Sequence, residues 1–427
     1  MNKFNSPDYK CSRKAYTIEC AIEYFISLLV ADAFFAKLLT SIGISDAMTG
    51  IISSFITLAF VIQLFSILLV RTKVSTKKLV TVIDTTSIIF FMLIYLVPFL
   101  SKDPNVRTIL IVLCVLIAYT FKYLVVSMLY TWANSFVEPT KRASFSATKE
   151  IISLISGMIF TVIIGLVLDR YEALGNLEGG FLFIAIGVLV LNICNLSCLL
   201  SIKKEEPTEE TVQTEKLRVV AKNIFGNKNF RSIVILSIIW DIARYFTIGF
   251  LGVYKTKDLA MSLTLVQAVN IIGNVGRIFI SKPFGRYSDK HSYAKGLCLG
   301  LYIAAAAFFV NMFTTQTTWW LIIVYTLLYS CSMAGTNQNS YNISYSYVET
   351  KYISQAMAIK NSIAGVCGFL ASLAGGKLLS VIQASGNTFL GLSVNGQQVL
   401  SAVSFLLVVI CIIFTKTVVE KQKVTVR

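Results

Sequence analysis

Apolar residues run along this chain in long, nearly continuous blocks, not in the short alternations of a soluble fold. A block of about 20 apolar residues crosses a bilayer as a helix. Twelve such blocks are present: 16–42, 47–70, 79–100, 106–134, 147–168, 180–201, 230–254, 260–281, 294–314, 318–345, 354–381 and 397–415. The polar segments joining them are short, except 202–229, which follows the sixth block and carries many charges and Pro207. The pattern predicts an all-α membrane protein of twelve transmembrane helices. It divides into a six-helix bundle (1–201), a linker (202–229) able to lie on the membrane surface, and a second six-helix bundle (230–427). The segment Met1 to Lys14 is polar and basic, unlike a cleavable leader.

Composition supports the same class. Of 427 residues, 56% are hydrophobic and 14% charged, against about 25% charged in soluble domains. Mean hydropathy is +0.72. That leaves too little polar surface to clothe a water-soluble globule. The net charge of +16 would suggest nucleic acid in a soluble protein. Here the bases sit mainly in loops: with the N-terminus inside, 28 of the 38 Lys and Arg fall in cytoplasmic segments and 5 in external ones. The positive-inside rule then places both termini in the cytoplasm, and no nucleic-acid partner is expected.

The nine cysteines are scattered without a CxxC pair, and His291 is the single histidine. Neither a disulfide framework, a metal centre nor a Ser-His-Asp triad is expected, and no cofactor is implied. No GxxxxGK[ST], HExxH or GxSxG motif occurs, so ATP-driven pumping and intramembrane catalysis are disfavoured.

The chain also repeats itself. A shift of 211 residues aligns 110–176 with 321–387 without a gap, giving 16 identities in 67 positions. They include Tyr130/Tyr341, Glu138/Glu349, Lys149/Lys360, Gly157/Gly368, Gly165/Gly376 and Gly175/Gly386. Spans 4–5 therefore correspond to spans 10–11. An even number of spans separates them, so the two halves share one orientation.

Six plus six parallel spans with a charged central linker resemble the major facilitator superfamily. The most specific local signal is the segment from Gly285 to Lys295 between spans 8 and 9, with Gly285, Arg286, Asp289 and Lys290. It resembles that family's loop motif. The resemblance implies a cytoplasmic gate in which the glycine makes a tight turn, the acid caps a helix and the bases pair with carboxylates. The equivalent loop between spans 2 and 3 keeps the bases (Arg71, Lys73, Lys77, Lys78) but has neither the glycine nor the acid. Arg142, in the segment entering span 5, is similar to the family's loop there and is added to the gate residues.

Ionisable residues within spans are costly and need a partner or a wet cavity. Asp32 (span 1), Lys122 (span 4), Asp241 and Arg244 (span 7) lie near mid-span. Span 10 contributes the most polar run, including Asn337, Gln338 and Asn339. The resemblance implies that spans 1, 4, 7 and 10 line a central cavity, the same four helices. Trp240 and Tyr123 lie beside the charges and complete the candidate solute and ion site. The plainer readings are an Asp241–Arg244 ion pair three residues apart on one face, an Asp32–Lys122 pair, and amides that bond helices together. Glu19, Glu23, Asp84, Arg277 and Lys360 fall near the cytoplasmic ends of spans, where solvation or gate pairing suffices.

The function expected is secondary active transport of a small polar or charged solute by alternating access, driven by a proton or sodium gradient. Asp32 and Asp241 are the candidate coupling acids; Lys122 and Arg244 suit an anionic solute. The expected setting is a cell membrane, of bacterial inner-membrane type, where a monomer in lipid suffices. Proton-driven efflux of multiple drugs or lipophilic compounds is the alternative on the same fold. A non-transporting sensor is disfavoured by the short loops.

Overall fold

The computed structural model describes residues 6–65, 75–138, 142–203, 225–348, 353–389 and 391–422. Helices account for nearly all of them. The first six blocks appear as α1 (Pro7–Leu29) and α2 (Asp32–Ser41), α3 (Asp46–Ser53) and α4 (Phe55–Ile62), α5 (Thr76–Leu100), α6 (Pro104–Ser135), α7 (Arg142–Ala173) and α8 (Leu177–Ser201). The later six are α9 (Lys228–Tyr245), α10 (Leu263–Lys290), α11 (Tyr293–Asn311), α12 (Leu321–Tyr347), α13 (Ile353–Ala384) and α14 (Gly396–Phe414). A two-residue antiparallel pairing, β1 (Thr388–Phe389) with β2 (Leu392–Ser393), joins the last two helices.

Among the described residues, nine helical segments are long and apolar enough to cross a membrane. The other three blocks fall short for local reasons. The first is interrupted at Val30–Ala31 and the second at Ser54, while α12 carries the polar run. Three further expectations shift. The first helix starts at Pro7, within the segment read as a polar tail. Span 7 does not run straight to 254: α9 ends at Tyr245, and short 3-10, α and π turns continue to Asp258. The helix of span 8 extends to Lys290, through the segment read as a loop.

Contacts gather the chain into two compact units. The first comprises Met1–Ile44, Ile62–Thr214 and Ser262–Thr264; the second comprises Ser45–Val61, Glu215–Met261 and Leu265–Arg427. Within the first, α1 packs on α7 and α8, and α5 packs on α6 and α8. Within the second, α9 packs on α13 and α14, α11 on α12 and α14, and α3 on α13. Close approach there depends on small residues. A Cβ on Gly50 would lie 2.0 Å from the Phe250 ring, and one on Gly249 would lie 2.5 Å from the Gly50 carbonyl oxygen.

The polarity of the helices is reversed relative to a soluble bundle. Ile151, Ile155, Ile159 and Ile163 form an exposed stripe at i+4 spacing on α7, while Asn192 and Asn195 of α8 are buried. Such a stripe is stable against lipid tails, and buried amides answer the demand that polar groups be satisfied internally.

The repeat has structural content at its clearest identity. α7 and α13 end in the same way, with Gly175 at φ +69° and Gly386 at φ +72°. Each glycine N–H donates three residues back, to Glu172 and Gln383, and the following asparagine N–H donates five back, to Tyr171 and Ile382. This left-handed helix terminus penalises any residue with a Cβ, which accounts for a glycine at both places.

The break in each half's first span is also supported by side chains. Leu29, the last residue of α1, accepts a 2.6 Å hydrogen bond from the Tyr95 hydroxyl at its carbonyl. At the interruption after α9, the Gln397 amide donates to the Thr247 carbonyl at 3.4 Å, and the Thr247 hydroxyl donates to Leu400 O at 2.9 Å. Backbone groups released from a helical ladder inside a membrane require such partners.

Candidate functional site

The second unit contains a cavity of about 240 Å³. α9 lines it with Ser237, Trp240, Asp241 and Arg244, α12 with Thr336, Asn337, Ser340 and Tyr341, and α13 with Met357, Lys360 and Asn361. Leu297 and Leu301 of α11 and Phe60, in the second span, supply apolar wall. The three faces follow from helical spacing. Residues 237, 240, 241 and 244 repeat at three and four, as do 336, 337, 340 and 341, so each set shares one face.

Arg244 Nε lies 2.9 Å from Asp241 Oδ1, and the guanidinium stacks 4.5 Å from the Tyr245 ring centroid. Asp241 is 7% exposed and Lys360 is 5% exposed. Lys360 Nζ approaches the Ser340 hydroxyl at 3.4 Å. The cavity thus places two cationic side chains against one carboxylate, a surplus of positive charge in a low-dielectric wall. A buried pair with an extra cation favours an incoming negative group.

The residues singled out in the sequence separate into those this cavity gathers and those it does not. Trp240, Asp241, Arg244 and Asn337 line it together. Asn339 is buried elsewhere: its amide donates to Gly335 O at 2.8 Å and packs toward the position of Gly296 on α11. That is an interhelical packing role. The Gln338 side chain lies outside the described residues. Asp32 starts α2 at the break in span 1, with φ +46°, in the first unit. Tyr123, also in the first unit, packs at 6.5 Å on the Tyr119 ring.

Lys122 Nζ lies 3.7 Å from Glu23 Oε1 and 5.9 Å above the Phe91 ring. Trp132, also in the first unit, is 1% exposed and donates to the Lys203 carbonyl at 3.3 Å.

The gate motif takes a different local form from the one expected. Gly285 is inside α10 and makes no turn, because the helix continues for another turn to Lys290. Arg286, Asp289 and Lys290 are exposed there. The N-terminus of α11 is capped by Ser292, whose hydroxyl accepts from Lys295 N at 3.1 Å. The Arg142 side chain lies outside the described residues, as do the bases Arg71 and Lys73.

Sequence reasoning passed over Lys360, treating it as a span-end residue. Its identity with Lys149 across the repeat was the available signal. Glu19 and Asp84 were set aside on the same ground, yet they are 0% and 1% exposed in the first unit.

Helices this long and apolar, with apolar residues on their exposed faces, define an integral membrane protein. The chain belongs to the Major Facilitator Superfamily, whose family model matches residues 20–372 and again 233–424. No curated protein matches it at the level of sequence. Solved structures share its fold. The nucleoside transporter NupG superposes with a TM-score of 0.73 at 12% identity, covering 98% of this chain and 100% of that one. A D-xylose-proton symporter gives 0.74 at 12% identity, with 98% and 99% covered. A bacterial homologue of the human lysosomal transporter Spinster gives 0.69 at 13% identity, with 97% of each covered.

Proposed function

We propose that this protein is a secondary active transporter of a small polar solute bearing a negative group, exposing its binding site to each side of the membrane in turn. The observation that carries the reading is the cavity of the second unit, where Arg244 and Lys360 face a single carboxylate, Asp241. Asn337, Asn361 and Ser340 add hydrogen-bonding groups, and Trp240 and Tyr341 offer flat apolar surface. A few convergent polar groups in a largely apolar wall suit a small solute. The nucleoside and xylose carriers that share the fold make polar, ring-bearing solutes the first to screen.

Coupling to a proton or sodium gradient is part of the proposal, with Asp241 and Asp32 as acids able to respond to the ion. The distribution of Lys and Arg supports a cell membrane with both termini cytoplasmic, of bacterial inner-membrane type. Efflux of lipophilic cations is less well supported, since such a solute would meet the positive surplus of the cavity. The test is uptake into proteoliposomes containing the purified full chain, with labelled nucleosides, sugars, sugar acids and small carboxylates. Each is run with and without a pH or sodium gradient. Accumulation of an anionic solute that Lys360→Ala abolishes supports the reading. Uptake restricted to uncharged or cationic solutes, or full activity in Lys360→Ala and Arg244→Ala, overturns it.

A further inference from the structure

The first unit gathers acids where the second gathers bases. Glu19 and Glu23 stand one turn apart on α1, and Asp84 reaches them from α5. One carboxylate oxygen from each lies within 4.8 Å of the others. On α8, Asn195 donates from Nδ2 to Asp84 Oδ2 at 2.7 Å, which fixes its amide at the cluster. Asn195 and Glu19 are each 0% exposed, and two acceptor atoms there, Asn195 Oδ1 and Glu19 Oε1, have no hydrogen-bond donor among the described residues. Lys122 reaches only to 3.7 Å from Glu23, beyond hydrogen-bond length.

We infer that Glu19, Glu23, Asp84 and Asn195 form a binding site for a small hard cation in the N-terminal half of the membrane domain. Three carboxylates against two nearby cations, Lys122 and Lys149, leave one negative charge unbalanced, which burial makes costly. All the candidate donors are oxygens, the set that suits calcium, manganese, magnesium or sodium over softer metals. Magnesium dehydrates reluctantly and is seldom held by an all-protein cage, which favours calcium, manganese or sodium here.

A cation also serves every acceptor at once. A shared proton bridges two carboxylates but offers nothing to the Asn195 carbonyl. The unmatched groups are acceptors contributed by separate helices, so an ion at their centre would tie α1, α5 and α8 together.

This inference does not rest on the transport reading, because binding is measured on the purified chain with no solute present. Thermal unfolding of the full-length protein in detergent is followed while titrating CaCl2, MnCl2, MgCl2 or NaCl, against choline chloride at matched ionic strength. A saturable rise of about 4 °C or more with calcium, manganese or sodium is expected, larger than with magnesium. Glu19→Gln and Asp84→Asn should each weaken the apparent affinity at least tenfold, whereas Lys282→Ala, at an exposed position in the other unit, should keep the full response.

Should the buried variants fail to fold, Glu23→Gln at the less buried edge of the site carries the same comparison. Calorimetric titration of the unmodified protein provides a measurement that needs no variant. Absence of any cation effect beyond choline, or an undiminished response in the carboxylate variants that fold, overturns the site.

Discussion

Two lysines occupy equivalent positions in the two halves, and their surroundings have gone separate ways. Lys149 is half-buried on α7, with its ammonium 4.9 Å from the Tyr16 ring and 3.4 Å from that tyrosine's hydroxyl. Lys360 is almost fully enclosed, beside Ser340 and on the wall that carries Asp241 and Arg244. The polar interior of the first unit is dominated by Glu19, Glu23 and Asp84, while two bases outnumber the acid in the second. A repeated framework therefore fixes where a charge is placed. The residues around it decide whether the place suits a positive or a negative guest.

The sharpest way to break this contrast is to make one change at both positions. Lys360→Met should reduce solute uptake by about 100-fold or more, a loss on the scale of removing a charge that contacts a buried guest. Lys149→Met should leave uptake within a fewfold and cost about 1 kcal/mol of stability, the worth of a partly exposed cation–π contact. Equal effects at the two sites would show that the lysines share one structural duty. The readouts are initial uptake rates and thermal unfolding.

Arg244→Ala comes next. It strands Asp241, and breaking a buried pair from one side costs about 3–5 kcal/mol. A parallel Asp241→Asn, Arg244→Gln double variant should recover most of that stability without recovering uptake. Recovery of transport in the double variant would reduce the pair to a structural clasp.

A smaller effect separates the two asparagines of α12. Asn337→Ala should raise KM about tenfold with unfolding unchanged, because its side chain faces the cavity. Asn339→Ala should instead lower stability by about 1–3 kcal/mol, through its buried bond to Gly335, with KM unchanged. At the small end, Lys290→Ala alters an exposed residue and should shift stability by no more than about 0.5 kcal/mol.

Much of the architecture was readable before any coordinates, since a run of apolar residues has one stable outcome in lipid. The Asp241–Arg244 pairing was readable too, because three residues of separation bring side chains to one helix face. Four features were not. The interruptions at Val30 and Phe246 lie at no proline or glycine, and the side chains that support them, Tyr95 and Gln397, come from distant parts of the chain. The split between Asn337 and Asn339 depends on helix rotation, which a uniformly polar run does not reveal. The meeting of Glu19, Glu23 and Asp84 depends on α1 and α5 both packing on α8, and such packing leaves no mark on either helix alone. Lys360 was hidden by counting distance from a span end, although α13 begins seven residues earlier and carries it inward.

The interrupted first span of each half has a mechanical consequence. Continuous helices transmit rotation and tilt from end to end, whereas a rod with a joint lets its two pieces answer separate forces. The piece after Leu29, which begins with Asp32, can pivot while α1 keeps its acids in place. The piece after Tyr245 can do the same without dragging Asp241 and Arg244 along. The phenol of Tyr95 and the amide of Gln397 act as the pins of those joints, so their replacement by phenylalanine or leucine should stiffen nothing and loosen the elbow.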